Sequence, residues 1–118
     1  MTHAVCTLVP YFAVHEGKLA EFQALEPSFV ARTSEEPGCL HYAFSHHGNE
    51  VHCREDYIDA AAVLAHLRNV GDLLEQVLSM ADLRRLEVHA PQSDLERLRD
   101  PLKKLDPRFF ELGEGFRR

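Results

Sequence analysis

Residues 36–66 read EPGCLHYAFSHHGNEVHCREDYIDAAAVLAH, and this stretch decides the fold. Pro37-Gly38 is a turn, residues 39–45 a strand, Gly48-Asn49 a second turn and residues 50–57 the returning strand. His47-Gly48 is a rival turn, which changes the pairing but not the parity within each strand. Asp59 is placed to cap the helix that follows. His66 falls about one turn before that helix ends. A hairpin running straight into a helix lets a polar helix residue lean over the sheet, one way to build a small buried pocket.

The pattern extends outward on both sides. Residues 4–14, AVCTLVPYFAV, are rich in β-formers, and Pro10 among them predicts an edge strand or a bulge. After Gly17, Leu19, Phe22, Leu25, Phe29 and Val30 recur at helical spacing. Pro27 predicts a kink there, or a helix that continues after a short break. Beyond His66 the helical spacing resumes with Val70, Leu73, Leu74, Val77, Leu78 and Met80, and residues 83–90 read as a fourth strand. Ser93-x-x-Glu96 has the form of a capping box opening another helix, which Pro101 breaks or ends. The closing stretch FFELGEGFRR is one more strand, loosened by glycines. The order is β-α-β-β-α-β with an appended α-β. It specifies an α+β fold, a ferredoxin-like sandwich with an antiparallel sheet and helices on one face. Residues 1–90 make the domain, and residues 91–118 a C-terminal helix–strand extension of it.

Composition narrows the function. The 118 residues suit one domain with one core. A net charge of −6 with scattered basic residues argues against a nucleic-acid partner. No apolar run approaches the roughly 18 residues that span a bilayer. The first apolar run has no Lys or Arg before it and is a poor secretory signal. Cys6, Cys39 and Cys53 are odd in number and lack CxxC spacing, as expected of reduced thiols in a cytoplasmic protein. Both faces of the first strand are apolar: Val5, Val9 and Tyr11 on one, Cys6, Leu8 and Phe12 on the other. A sheet with one wet face alternates more cleanly. A second copy of the chain is therefore expected on the face away from the helices, as a two-fold homodimer. In the extension, Leu95, Leu98, Leu102 and Leu105 are placed to dock over the pocket mouth. Phe109, Phe110 and Phe116 are placed to extend a partner's sheet.

Several of these residues carry a resemblance. Glu16-Gly17-Lys18 with Phe22, then Glu36-Pro37-Gly38-Cys39-Leu40-x-Tyr42, then Glu55-x-Tyr57-x-Asp59 and the alanine-rich stretch to His66 resemble, in that order, the antibiotic biosynthesis monooxygenase (ABM) domain family of the dimeric α/β-barrel superfamily. The resemblance covers about residues 3–90. It implies a homodimer whose sheets pack face to face and a pocket between each sheet and its own helices. It also implies oxygenases of quinols and aromatic polyketides that work without a cofactor, or haem-degrading enzymes. The haem-degrading subgroup uses an Asn, a Trp and a His; Pro10, His66 and Gln76 stand at those positions here, so that chemistry is excluded. The polyketide oxygenases also commonly place a Trp in the pocket, and this chain has none.

Strand parity puts Leu40, Tyr42 and Phe44 on one face with Val51, Cys53, Glu55 and Tyr57, the helix-facing side. Cys39, His41, Ala43, His52, Arg54 and Asp56 take the opposite, charged face. His66 is the candidate base: a neutral imidazole accepts a proton from a phenol or quinol, leaving the electron-rich anion that reacts with dioxygen. Glu55 in a semi-apolar site is the candidate for a raised pKa and an acid or base role. Tyr42, Tyr57 and Phe44 are the candidates for holding a small apolar or aromatic molecule. The structural readings are a helix-end histidine bonded to a carbonyl, a paired or capping glutamate, and core aromatics. The eight histidines lack HxxxH or HxH spacing, so no metal site is expected, although His41 and His52 would meet near Asp56 in one register. The expected activity is a cofactor-independent monooxygenase. Its alternatives are an isomerase or decarboxylase on the same scaffold, or a binding or dimerisation module without chemistry.

Overall fold

A computed structural model describes residues 4–118; His3 lies outside them. The chain runs β1 (Cys6–Val14), α1 (Leu19–Ser34), β2 (Cys39–His47), β3 (Glu50–Tyr57), α2 (Ala60–Asn69), α3 (Gly71–Met80), β4 (Ala81–Ala90), α4 (Gln92–Leu98), a 3-10 turn (Lys103–Leu105) and β5 (Arg108–Glu111). The strands form one sheet in the order β2-β3-β1-β4-β5. The first four pair antiparallel, and β5 lies parallel to β4. This is the expected ferredoxin-like α+β fold, with the second helix divided in two at Val70, whose φ is −106° and ψ 12°.

Several sequence expectations change. β1 is not an edge strand but lies between β3 and β4. Pro10 is accommodated by the bulge alternative: Tyr11 pairs with Arg85 and Phe12 with Leu83, so Arg84 is the extra residue. α1 runs unbroken through Pro27, whose exposed position leaves the unpaired carbonyl before it to solvent. The Ser93 capping box does not form, because α4 starts at Gln92 and places Ser93 inside the helix. Phe109 and Phe110 extend this chain's own sheet through β4 instead of a partner's; Phe116 lies beyond β5 and is exposed.

The hairpin closes at Gly48-Asn49, with Glu50 opposite His47 and Gly48 at φ 59°. Its register matches the parity expectation from Tyr42 onward: Tyr42 faces Glu55 and Phe44 faces Cys53. A bulge between Cys39 and His41 breaks the parity before that point. Cys39, not Leu40, therefore takes the inner face opposite Tyr57, and Leu40 is left exposed. The same register separates His41, opposite Asp56, from His52, opposite Ser45, so that trio does not assemble.

The helices cover one face of the sheet and divide its core into two regions. One joins Phe12, Phe22, Phe29, Val51 and Val77, with Phe12 edge-on to Phe22 at 5.5 Å. The other joins Cys6, Leu8, Tyr57, Val88, Leu95, Leu98 and Leu102. The three leucines come from the C-terminal segment and are at most 1% exposed. Burying each contributes about 1.5–3 kcal/mol, so the segment belongs to the core. The opposite face carries half-buried Val9, Tyr11 and Ala13 among charged neighbours.

Candidate active site

α2 positions the site. Asp59 caps it, accepting from the Ala62 amide at 2.9 Å, and Asp94 of α4 accepts from the Ala60 amide at 3.0 Å. One face of α2 then follows the α1–β2 connection in steps of about one turn. Gly38 lies so close that a Cβ there would sit 2.6 Å from the Ala62 Cβ. Four residues on, His66 Nδ1 meets Glu36 Oε2 at 2.9 Å. At the last turn, Asn69 Nδ2 donates to Glu36 Oε2 at 2.7 Å and to the Arg32 carbonyl at 3.1 Å. Arg32 donates back to the Asn69 carbonyl at 3.1 Å and is itself held by Asp72.

This arrangement fixes the imidazole. An ionised carboxylate offers only acceptors, so Nδ1 is the donor toward Glu36, and in the neutral tautomer the lone pair then sits on Nε2. Nε2 stands 3.6 Å from Glu55 Oε1, beyond hydrogen-bond reach. Glu55 accepts instead from the Tyr57 hydroxyl at 2.6 Å. Burial raises the Glu55 carboxyl above its ordinary range, although His66 and the Tyr57 bond pull the other way. The same burial raises the Tyr42 and Tyr57 hydroxyls and the Cys53 thiol, so all three are neutral. The His66 ring centroid is 5.2 Å from that of Tyr42 and 5.3 Å from that of Tyr57. Thr33 Oγ1 is buried beside the Tyr42 hydroxyl without full hydrogen-bond geometry.

Beneath the helices lies a cavity of about 50 Å³, space for a few waters as it stands. Tyr42, Cys53, Glu55 and His66 are its polar lining; the remaining walls are apolar, Phe44 and Pro10 among them. The sequence candidates Tyr42, Phe44, Glu55 and His66 thus come together. Tyr57 does not line the cavity. It lies behind Glu55, fully buried, and reaches the site through its hydroxyl on Glu55 and its ring beside that of His66. Gln76 is exposed on α3. His66 is bonded to a carboxylate, and Glu55 neither caps a helix nor pairs with Arg54. Sequence reasoning missed Glu36 and Asn69. The signal for Glu36 was its place just before a Pro-Gly turn that packs against the histidine's helix. Among the described residues, no three His, Cys, Asp or Glu side chains are grouped as a metal centre requires.

Residues 6–71 match the family described as antibiotic biosynthesis monooxygenase, which is more than half of the chain. The chain belongs to this family. The protein MupZ from Pseudomonas fluorescens is 43% identical to this family member, over 98% of this chain and 96% of its own, with a TM-score of 0.92. Rv0793 from Mycobacterium tuberculosis is 22% identical over 75% of this chain and 95% of its own, with a TM-score of 0.66. A structure described as an antibiotic biosynthesis monooxygenase is 17% identical over 70% and 92%, with a TM-score of 0.62. These last two likenesses establish the fold alone. No curated protein matches the sequence. The match to MupZ leaves too little of the chain uncovered to omit the C-terminal segment, whereas the family match ends at residue 71.

Proposed function

We propose that the chain is a cofactor-independent enzyme that moves protons on a small, mainly apolar molecule, with His66 as base and Glu55 as neutral acid. The observation that carries the proposal is the pairing of His66 Nδ1 with Glu36, which leaves Nε2 free toward the cavity. Glu36 holds the ring and stabilises the imidazolium formed when Nε2 takes a proton. Tyr42 and Phe44 flank the bound molecule, and Tyr57 holds Glu55 in place. The apolar walls keep water from the reacting anion.

Family membership favours oxygenation of an aromatic or quinol-like substrate. His66 would take the phenolic proton, and the anion would react with dioxygen. One oxygen atom would enter the ring and the other leave as water, the substrate supplying the electrons. A second reading, isomerisation or decarboxylation, is favoured by the raised Glu55 carboxyl, because such reactions need one proton taken and another returned. Turnover of a panel of quinols and of enolisable acids by the full chain, with dioxygen uptake recorded, separates the two. Uptake that His66→Ala abolishes supports oxygenation. Proton exchange or carbon dioxide release without uptake supports the second. Tight ligand binding with neither defeats the enzymatic proposal and leaves a binding module.

We infer further that the chain pairs with a second copy through the face away from the helices, where Val9, Tyr11 and Ala13 are half-buried. Its three free cysteines fit the reducing cytoplasm. A sedimentation profile of a lone chain at micromolar concentration would contradict the pairing.

A further inference from the structure

The cavity has two unlike ends. Tyr42, Cys53, Glu55 and His66 stand at one, supplied by β2, β3 and α2; Leu83, Leu86, Leu102 and Leu105 stand at the other, supplied by β4 and the C-terminal segment. β1 lies between β3 and β4 in the sheet. The two ends are therefore about two strand spacings, roughly 10 Å, apart. The leucine end offers no partner to a polar ligand atom, and an unpaired polar atom there would be costly. The C-terminal segment is fixed at this end. Leu102 is 1% exposed, and Leu105 closes the 3-10 turn, half-buried against the leucine-rich core. Asp106 follows at φ 51°, a left-handed conformation uncommon for a residue with a Cβ, and its amide bonds to the Lys103 carbonyl at 3.1 Å. β5 then anchors the segment beside β4.

We infer that the C-terminal segment gauges the pocket: Leu102 and Leu105 set the length of an apolar extension of the substrate, whose polar, reacting group sits at His66 and Glu55. The position of the polar end rests on the acid–base reading; the gauge does not.

Straight-chain primary alcohols of increasing length, titrated calorimetrically into the full chain, test this. Affinity rises about fourfold per added carbon while the chain fills the slot, then stops rising at a limiting length. Leu105→Ala moves that limit to longer alcohols and Leu105→Trp to shorter ones. Should the tryptophan variant fail to fold, the alanine variant at this half-buried position decides alone. A limit that stays at the same alcohol overturns the inference, as does the absence of binding at every length. Neither result touches the acid–base reading, whose own failure shows as turnover that survives His66→Ala.

Discussion

Two glutamates stand beside histidines on opposite faces of the sheet, and they behave in opposite ways. On the helix side, Glu55 of β3 lies 3.6 Å from His66 and its carboxyl is raised by burial. On the open side, Glu87 of β4 is 3.0 Å from His89, and its carboxyl is held below the ordinary range by that bond and by Arg85. His89 also stacks on Phe110, with ring centroids 4.6 Å apart. The difference is first of all burial, which dominates at Glu55, whereas at Glu87 the bond from His89 dominates and a permanent cation adds to it. Arg85 stands against Glu87, whereas Glu55 has only a titratable imidazole, already committed to Glu36. A histidine beside a carboxyl is therefore not by itself an ion pair; the surroundings decide whether the carboxyl stays neutral and able to give a proton.

The contrast breaks most sharply at the histidines. His66→Ala should lower turnover about 10²–10⁴-fold with the circular dichroism spectrum retained, while His89→Ala should leave the chemical step unchanged. Comparable losses in both would erase the distinction between the faces. Next in size is Glu36→Gln, which keeps the shape but removes the charge that orients the ring. We expect turnover to fall about 10–100-fold, as for other carboxylate partners of histidine, with a larger effect on kcat than on KM; a pure KM effect would count against orientation.

A smaller effect separates the carboxyls by pH. Glu55 binds its proton more tightly folded than unfolded, so its stabilising contribution is present below the ordinary carboxyl range and is lost as pH rises through the raised value. Urea midpoints at about pH 5 and about pH 8 should therefore fall less in Glu55→Gln than in the wild type. Glu87 has the opposite sign: its contribution is present above the ordinary range and is lost as pH falls. Smallest of all, Glu87→Gln should cost about 0.2–1 kcal/mol at neutral pH and less in high salt. A salt-independent loss of several kcal/mol there would show that the open face is more enclosed than in a lone chain.

The helix-side half of this contrast was legible in the sequence. Period-two alternation placed Tyr42, Phe44, Cys53, Glu55 and Tyr57 on one face, and the helical spacing placed His66 above them. The errors came from features that depend on the fold as a whole. Leu40 and Cys39 exchanged faces because a bulge adds a residue that parity cannot foresee. Pro10 suggested an edge because local rules do not reveal that a bulge will absorb it in a central strand. Ser93 fits the capping box by spacing, yet Asp94 accepts from an amide of another helix instead. Glu36 stayed hidden because its partner lies 30 positions away, and the Pro-Gly turn after it marks where the chain bends but not what the bend packs against.

That bond from Asp94 to the Ala60 amide has a consequence for synthesis. The helix bearing His66 waits for a residue 34 positions downstream to complete its opening. A nascent chain halted at Ala90 lacks both this acceptor and the three leucines that bury the neighbouring core. Protection of the α2 segment from protease should accordingly be weak in a chain ending at Ala90 and full in one that includes Leu102, so that the base becomes serviceable only after the closing segment has been made.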